Sequence, residues 1–321
     1  MIIQNWWFTT LLEHKYKVCP PLQKDIECDV LIIGGGMSGI SAAAAFINKG
    51  LNVVVIEKNI IGGGTSGKSA GFMTPDSELE LSQIVRRYGV KGAQQIRQAH
   101  VVVVGVGGVG SWAVECLARS GVAALTLIDM DHVSESNINR QLHALTNTLG
   151  QAKTDAMKAR IALIHPDCQV HVVDDFITPD NINPLLPVHF DALIDACDQV
   201  SAKVALAAWA MQHPSHMVTV GAAGGKMQAH LVEMADLAHT THDPLLAQLR
   251  QQLRKHHGAP QGHAPFGIHA VFSKEQVLRP STETTTHTDH NLNCHGYGSV
   301  VTVTATFGNC AAGCVLNQLA A

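Results

Sequence analysis

Two apolar runs in this chain each end in a cluster of glycines that opens a helical pattern, and this pair of loops constrains the fold more than any other feature. The first reads DVLIIGGGMSGISAAAAF over residues 29–46, the second HVVVVGVGGVGSWAVECLARSG over 100–121. A strand that ends in closely spaced glycines lets backbone N–H groups approach a phosphate at the N-terminus of the next helix. Each loop therefore proposes a nucleotide site. They differ in how much of a site follows them.

Residues 28–57 read as a βαβ start: strand Val30–Ile33, the loop Gly34-x-Gly36-x-x-Gly39, an alanine-rich helix ending at Gly50, strand Val53–Ile56, then Glu57. An acid at the end of the second strand is placed to hold a ribose hydroxyl. Together with the pair Trp6 and Trp7, the PPL that follows them and GGGTSGKSAGFMTP at 62–75, this stretch resembles the FAD-dependent amine and amino-acid oxidases of the D-amino-acid oxidase type. By that resemblance Gly34, Gly36, Gly39 and Glu57 would hold the ADP half of FAD. The resemblance covers roughly residues 5–85, and nothing after residue 100 resembles the flavin-ring pocket or substrate sheet of such oxidases. Residues 1–85 thus read as a partial FAD/NAD(P)-binding-like Rossmann segment, vestigial as a cofactor site.

From about Arg87 the pattern changes. YGVKGAQQIRQAH reads as a short helical lead-in, and Val101–Val104 as a buried strand whose unbroken apolar run carries no period. Gly105, Gly107, Gly108 and Gly110 form the second loop, followed by a helix over 111–120 with Gly121 as its C-cap. A strand over Ala124–Ile128 delivers Asp129 and Asp131. SNINRQ at 136–141, LGQAK ending at Lys153, a strand over 191–194 and DACDQ with Asp198 come after it.

This order resembles the adenylylating family that includes ThiF, MoeB and the ubiquitin-activating enzymes. Within it, the chain is most similar to the bacterial tRNA threonylcarbamoyladenosine dehydratase branch. The closer match rests on LTLIDMDHV, NINRQLHAL, GQAK, VVDDFITPDNI, GAAGGK, DLAHTTHDPL and LNCHGYGSVVTVTATFG, and spans about 87–319. The resemblance implies a doubly wound, Rossmann-like α/β ATP-binding domain over 86–321 and a reaction that activates a carboxylate as its acyl-adenylate. Such chemistry consists of positioning an in-line attack and neutralising phosphate charge. By the same resemblance Asp129 would hold the ribose, and the glycine loop, Asn137, Arg140 and Lys153 the phosphates. Asp198 would hold Mg²⁺, which takes carboxylate and phosphate oxygens. Arg140, Lys153 and Asp198 are the residues expected to carry the reaction.

Composition sets bounds on the partners. With 46% apolar and 15% charged residues, the 321-residue chain can bury a large core. Its formal charge of −4 provides no global attraction for nucleic acid, so RNA contact requires a local patch. The helical pattern Leu245, Leu246, Leu249, Leu253 ends in Arg250, Arg254, Lys255, His256 and His257. Those charges complement a helix dipole and also make the best local candidate for contact with tRNA. Residues 258–270 and 280–291 read as loops.

The eight cysteines include no CxxC pair, which excludes the paired-cysteine zinc site common in ThiF and MoeB relatives and favours free thiols in a reducing, cytoplasmic setting. Cys197, beside Asp198, reads as a small buried hydrophobe rather than a nucleophile, and packing is likewise the reading for Cys294. The N-terminus lacks the features of a signal peptide. SVVTVTATFGNCAAGCVLNQLAA approaches the length of a membrane span. Its threonines and asparagines, and its lack of basic flanks, favour an internal strand followed by a small-residue helix, with a contact in a homodimer.

The function these readings support is ATP-dependent cyclisation of threonylcarbamoyladenosine in tRNA, a ligase-like dehydration. Two alternatives remain open: an FAD-dependent amine or amino-acid oxidoreductase, and a non-catalytic sulfur-relay partner of a cysteine desulfurase system. Flavin separates the first two. The isoalloxazine half of an FAD site is encoded nowhere in the chain, so the purified protein is expected to be colourless and to form no amine-dependent peroxide even with excess FAD. Absorbance in the flavin bands followed by a peroxide assay checks this. Stoichiometric yellow protein with amine-dependent peroxide reverses the assignment.

Overall fold

A computed structural model describes residues 21–58, 78–213, 216–277 and 297–321. Trp6, Trp7, Cys19, Cys294, the GGGTSGKSAGFMTP segment and the 280–291 stretch lie outside the described residues. The chain divides into two compact units, Met1–Ser77 and Glu78–Ala321.

In the first unit, strands β1 (Val30–Ile33) and β2 (Val53–Ile56) pair in parallel, with Val30 opposite Val53, and helix α1 (Met37–Ile47) connects them. Gly34 adopts a positive φ of 108° and donates its N–H to the Ile56 carbonyl at 2.8 Å. The next N–H, of Gly35, donates to Glu57 Oε2 at 2.7 Å. The acid expected to hold a ribose therefore also braces the glycine loop.

The second unit opens with α2 (Glu78–Gln98), which is broken at Gly89, where φ is 72°. The expected lead-in helix forms its second half and buries Ile96 completely. The unit is built on a seven-stranded sheet of β3 (His100–Val104), β4 (Ala124–Ile128), β5 (Gln169–Val173), β6 (Ala192–Asp195), β7 (His216–Val220), β8 (Val232–Asp236) and β9 (His269–Ser273). Its order is β5-β4-β3-β6-β7-β9-β8, and β8 alone runs antiparallel to its neighbour. The chain leaves β3 in one direction for β4 and β5, and later returns to its other side as β6. That reversal creates a crevice at the carboxyl ends of β3 and β6, where open α/β sheets bind ligands.

Both faces of the sheet are covered, which explains why β3 shows no alternation. Val101 and Val103 pack with Leu117 of α3 (Gly110–Arg119), Met157 of α4 (Lys153–Ile164) and Phe307 of the C-terminal helix. Val102 and Val104 pack on the opposite face. There they meet Ile182 of the short α5 (Ile182–Leu185), Leu206 of α6 (Val200–Gln212) and Leu249 of α7 (Pro244–His256). The leucines read as one face of α7 are all buried. Residues 258–268 form no helix or strand, but His269 and Ala270, read as loop, begin β9.

The C-terminal segment corrects the reading of a strand followed by a helix. Residues Val301–Leu319 form one helix, α8, from the first β-branched residue onward. Tertiary packing overrides β propensity here, because Val303, Phe307, Ala311 and Val315 make a helical stripe buried against the core. Among the described residues, no helix is long and apolar enough to cross a membrane.

Gly308 sets how closely α8 can lie against α3. A Cβ at this position would fall on the Val109 carbonyl, and within 2.8 Å of Trp112 Cβ and 2.9 Å of the Ala113 nitrogen. Gly313, one and a half turns later, has nothing within 4 Å of the equivalent point. Gly308→Ala is therefore expected to destabilise the protein by about 1–3 kcal/mol, the usual cost of overpacking. Gly313→Ala is expected to be neutral or to gain up to about 1 kcal/mol from helix propensity. Urea midpoints of the two variants check the contrast. Equal midpoints would mean that α8 does not depend on this approach.

Candidate functional site

The second glycine loop begins at the end of β3 with a conformation that only glycine adopts easily. Gly105 has φ 85°, and its N–H donates to the Ile128 carbonyl at 2.9 Å. A Cβ on Gly105 would lie 2.8 Å from the Cys197 nitrogen, and one on Gly110 would fall on the Gly105 carbonyl. These approaches let α3 start directly over the strand end. Asp129, at the end of β4, is nearly buried. Its Oδ2 accepts the Val106 N–H at 2.6 Å and its Oδ1 the Asp131 N–H at 2.9 Å. Burial raises its pKa, opposed by the nearby Lys153 ammonium and these two N–H donors.

Lys153 stands at the first residue of α4, its side chain almost wholly buried, and pairs with the exposed Asp131 carboxylate at 2.6 Å. Its backbone N–H donates to the Asp131 carbonyl at 3.0 Å, so the chain holds the two residues together twice over. Asn137 is buried inside a single 3₁₀ turn and accepts the Ser134 N–H at 3.2 Å, closing a capping box. Arg140 reaches toward solvent, where one guanidinium nitrogen donates to the Ser136 carbonyl at 2.7 Å and to Asn139 Oδ1 at 2.9 Å. Its aliphatic stem passes Gly108, whose missing Cβ would lie 3.3 Å from Arg140 Cγ and 3.4 Å from Thr304 Cγ2 of α8.

The Arg140 segment is strapped to the helix that follows the glycine loop. Trp112 Nε1 donates to the Arg140 carbonyl at 3.0 Å, and the Leu142 N–H donates to Ser111 Oγ at 3.2 Å. The intervening Gln141 is buried, and its Oε1 has no hydrogen-bond partner among the described residues. Its amide nitrogen faces Gly107.

On the far side of the loop, Asp195 ends β6 in a fully buried ion pair. Lys203 Nζ of α6 lies 2.9 Å from Asp195 Oδ2, which also accepts the Thr219 hydroxyl at 2.6 Å. Burial would depress the Lys203 ammonium, but the Asp195 carboxylate holds its pKa above the ordinary value. The Cys197 thiol donates to Asp195 Oδ1 at 2.8 Å, and burial followed by this carboxylate pushes its pKa well above the ordinary thiol value. That environment holds the sulfur protonated and unsuited to nucleophilic attack. Asp198, three residues after Asp195, is exposed at the lip.

All these elements converge on one cleft of about 750 Å³ at the crevice between β3 and β6. Gly105, Gly107, Gly108, Asp129, Asn137, Arg140, Lys153 and Asp198 line it; Gly110 lies behind, in the turn into α3. Gly34, Gly36, Gly39 and Glu57 belong to the other unit. Sequence reading missed Gln141, although it directly follows Arg140. It also missed Asp195 and Lys203, and it gave the GAAGGK segment no role, although Gly221–Gly224 line the cleft. A charged residue inside an apolar helical run, as Lys203 is in VSAKVALAAW, was the available signal.

The basic end of α7 is more committed than its sequence suggests. Arg250 bonds to Thr240 Oγ1. Arg254 donates to the carbonyls of Pro260 at 3.1 Å and Gly262 at 2.7 Å, and lies 5.2 Å from the Phe266 ring centroid. Arg254 thus holds the 258–268 loop, while Arg250 ties α7 to Thr240. Lys255, His256 and His257 remain exposed. Among the described residues, no cluster of three or more His, Cys, Asp or Glu side chains could hold a metal ion by itself.

Comparison with known proteins places this geometry. Residues 81–319 match the model of the ThiF family, and residues 29–99 match that of the FAD dependent oxidoreductases. The chain is 42% identical over 244 residues to the tRNA threonylcarbamoyladenosine dehydratase of Haemophilus influenzae, covering 75% of this chain and 94% of that relative. It is 42% identical over 245 residues to the Escherichia coli protein of the same name, covering 74% and 91%. The crystal structure of the E. coli enzyme in complex with ATP aligns with a TM-score of 0.68 at 41% identity, covering 75% of this chain and 93% of that one.

One buried group beside the cleft gives the unit a pH dependence. His143 is 1% exposed, and neither ring nitrogen has a hydrogen-bond partner among the described residues. Burial, with Lys153 and Arg160 nearby, lowers its pKa from 6.5 to about 4. The unfolded chain thus binds a proton that the folded chain refuses, and stability falls as pH drops from 6.5 toward 4. Between about pH 7.5 and pH 5 the loss is expected to be about 2 kcal/mol. Urea titrations of wild type and His143→Leu at both pH values check this. An unchanged pH difference in the variant would show that His143 is not its source.

Proposed function

The chain belongs to the ThiF family, and from that premise we propose that it is an ATP-dependent tRNA threonylcarbamoyladenosine dehydratase. The carboxylate of the modified nucleoside attacks the α-phosphate of ATP, pyrophosphate leaves, and an acyl-adenylate forms. A nucleophile within the same modification then attacks the activated carbonyl, closing the ring and releasing AMP. The observation that carries this reading is the convergence of the glycine loop, Asp129, Asn137, Arg140, Lys153 and Asp198 on one cleft.

In this scheme the N–H groups of the loop and the start of α3 receive the phosphates, with Gly107 and Gly108 permitting close approach. Lys153 supplies a point charge from a nearly buried position, and the paired Asp131 is the partner that a phosphate displaces. Arg140 supplies a planar fork at the open side, and Asn137 a neutral contact between them. Asp129 accepts from the ribose hydroxyls with the lone pairs left after its two backbone bonds. Asp198 is the ligand we assign to Mg²⁺, which would neutralise charge on the departing pyrophosphate. A single exposed carboxylate suits an ion that takes most of its remaining ligands from phosphate and water.

Residues 1–85 contribute nothing to this scheme; the dehydratase is assigned to residues 86–321. The same reading places the protein in the cytoplasm as a homodimer, with a cysteine desulfurase system as a partner. Mass spectrometry of tRNA nucleosides after incubation with ATP and Mg²⁺ tests the assignment. A protein that leaves threonylcarbamoyladenosine unchanged is not this enzyme.

Arg140→Ala and Lys153→Ala are each expected to lower turnover at least about tenfold without unfolding the protein. One charge-assisted contact is worth about 1.5–3 kcal/mol, and about 1.4 kcal/mol is tenfold. Single-turnover formation of the cyclised nucleoside checks both variants. Wild-type rates in the two folded variants would remove them from the site.

A further inference from the structure

One stretch of the cleft lining carries none of the candidate phosphate-binding groups. It comprises Gly221–Gly224 at the exit of β7, Pro244 and Leu245 at the start of α7, Val277 and Tyr297. No charged side chain is among these residues. An uncharged, largely apolar wall with one aromatic side chain suits a planar base and not a phosphate.

This wall is firmly built. The Gly225 N–H donates to the Gly298 carbonyl at 2.9 Å, fastening the Tyr297 segment to the glycine strip. A Cβ on Gly224 would lie 3.6 Å from Tyr297 Cβ, so the bare backbone leaves the tyrosine close against the strip. The Ala222 N–H donates to Asp243 Oδ2 at 2.9 Å, and Gly221 has no side chain to obstruct that carboxylate. The same Asp243 caps α7 through the Leu246 N–H at 3.0 Å. Beneath the strip, fully buried Lys226 donates to the Ser273 carbonyl at 3.1 Å and lies 3.8 Å from Asp243. Tyr297 itself is half-buried and lines the cleft.

We infer that this uncharged wall takes the purine of the nucleotide being modified, unpaired and stacked on the Tyr297 ring. The inference rests on the dehydratase reading. In that reading Asp129, at the end of β4, holds the ribose of ATP, so the base of ATP lies on the β4 side of the glycine loop and the β7 side, where the wall stands, is left to the attacking nucleoside. Proteins that act on or read a base in RNA splay it out of its stack and hold its face on an aromatic side chain.

The test uses the full chain with Tyr297→Phe and Tyr297→Leu. The phenylalanine keeps a π face, and kcat/KM for tRNA is expected to stay within about threefold of wild type. The leucine keeps bulk without one, and kcat/KM is expected to fall about tenfold or more, within the range for one stacked base. KM for ATP is expected to be unchanged in both. A second readout is independent of catalysis: a tRNA with 2-aminopurine in place of the modified adenosine. Its fluorescence is expected to change on binding wild type and Tyr297→Phe, but not Tyr297→Leu. Product formation with an identical fluorescence response in all three proteins overturns the stacking proposal and leaves the dehydratase reading standing. A Tyr297-dependent fluorescence response without cyclised product supports stacking and overturns the reading. A rise in KM for ATP equal to the loss on tRNA overturns the proposal by assigning Tyr297 to the nucleotide end.

Discussion

The close approach of backbone to backbone at Gly105 and Gly110 is the constraint on which the second unit depends. With no Cβ at either position, α3 starts against the Gly105 carbonyl, directly beyond the end of β3. The same economy recurs where α8 meets α3. Gly308 lets the two helices touch, and Thr304, one turn earlier, arrives beside Gly108 in the cleft. The Arg140 segment is then tied to the same helix through Trp112 and Ser111. The proposed phosphate end of the site is thus a set of groups all referenced to one helix start.

Charge is handled differently in the scaffold and in the cleft. Buried ions of the scaffold are matched: Asp195 with Lys203, Lys226 with Asp243, and Glu115 with Arg119 and Arg160. Isolated charges at these depths would cost several kcal/mol each after relaxation, at the order of magnitude known for buried ions. Such pairs contribute little net stability, but breaking one leaves its partner stranded, so they fix the ends of β6 and β7 in register. Cleft charges are less committed. Lys153 holds an exposed carboxylate, and Arg140 bonds to neutral oxygens of its own turn. A phosphate can compete for both.

The two glycine loops show how far local pattern reaches. In each, the first glycine donates to the last carbonyl of the second strand, and the next N–H donates to the acid that follows, Glu57 or Asp129. Strand, loop, helix, strand and acid were legible because they are neighbours along the chain and their spacing is set by backbone geometry. The leucine face of α7 was legible for the same reason. The C-terminal helix was misread because Val301, Thr302, Val303 and Thr304 favour strands locally, and only the packing of Val303 and Phe307 on the core decides otherwise. Gln141 and His143 went unread because a polar side chain beside a motif looks solvated until the fold closes over it.

The amino-acid sequence by itself determined the class of fold, the family and the roster of phosphate-binding candidates. Those properties reside in short segments whose hydrogen bonds close within a few tens of residues. Only the tertiary structure decided that Asp198, Lys153 and the Gly221–Gly224 wall share one cleft, and that Asp195 is paired with Lys203. It also decided that Arg254 of α7 holds a loop, and that one stretch of the cleft wall carries no charge. Each of these joins residues from different elements of the fold. Which side chains meet there depends on the strand order β4-β3-β6-β7 and on what each helix can approach, and neither is written in any single segment.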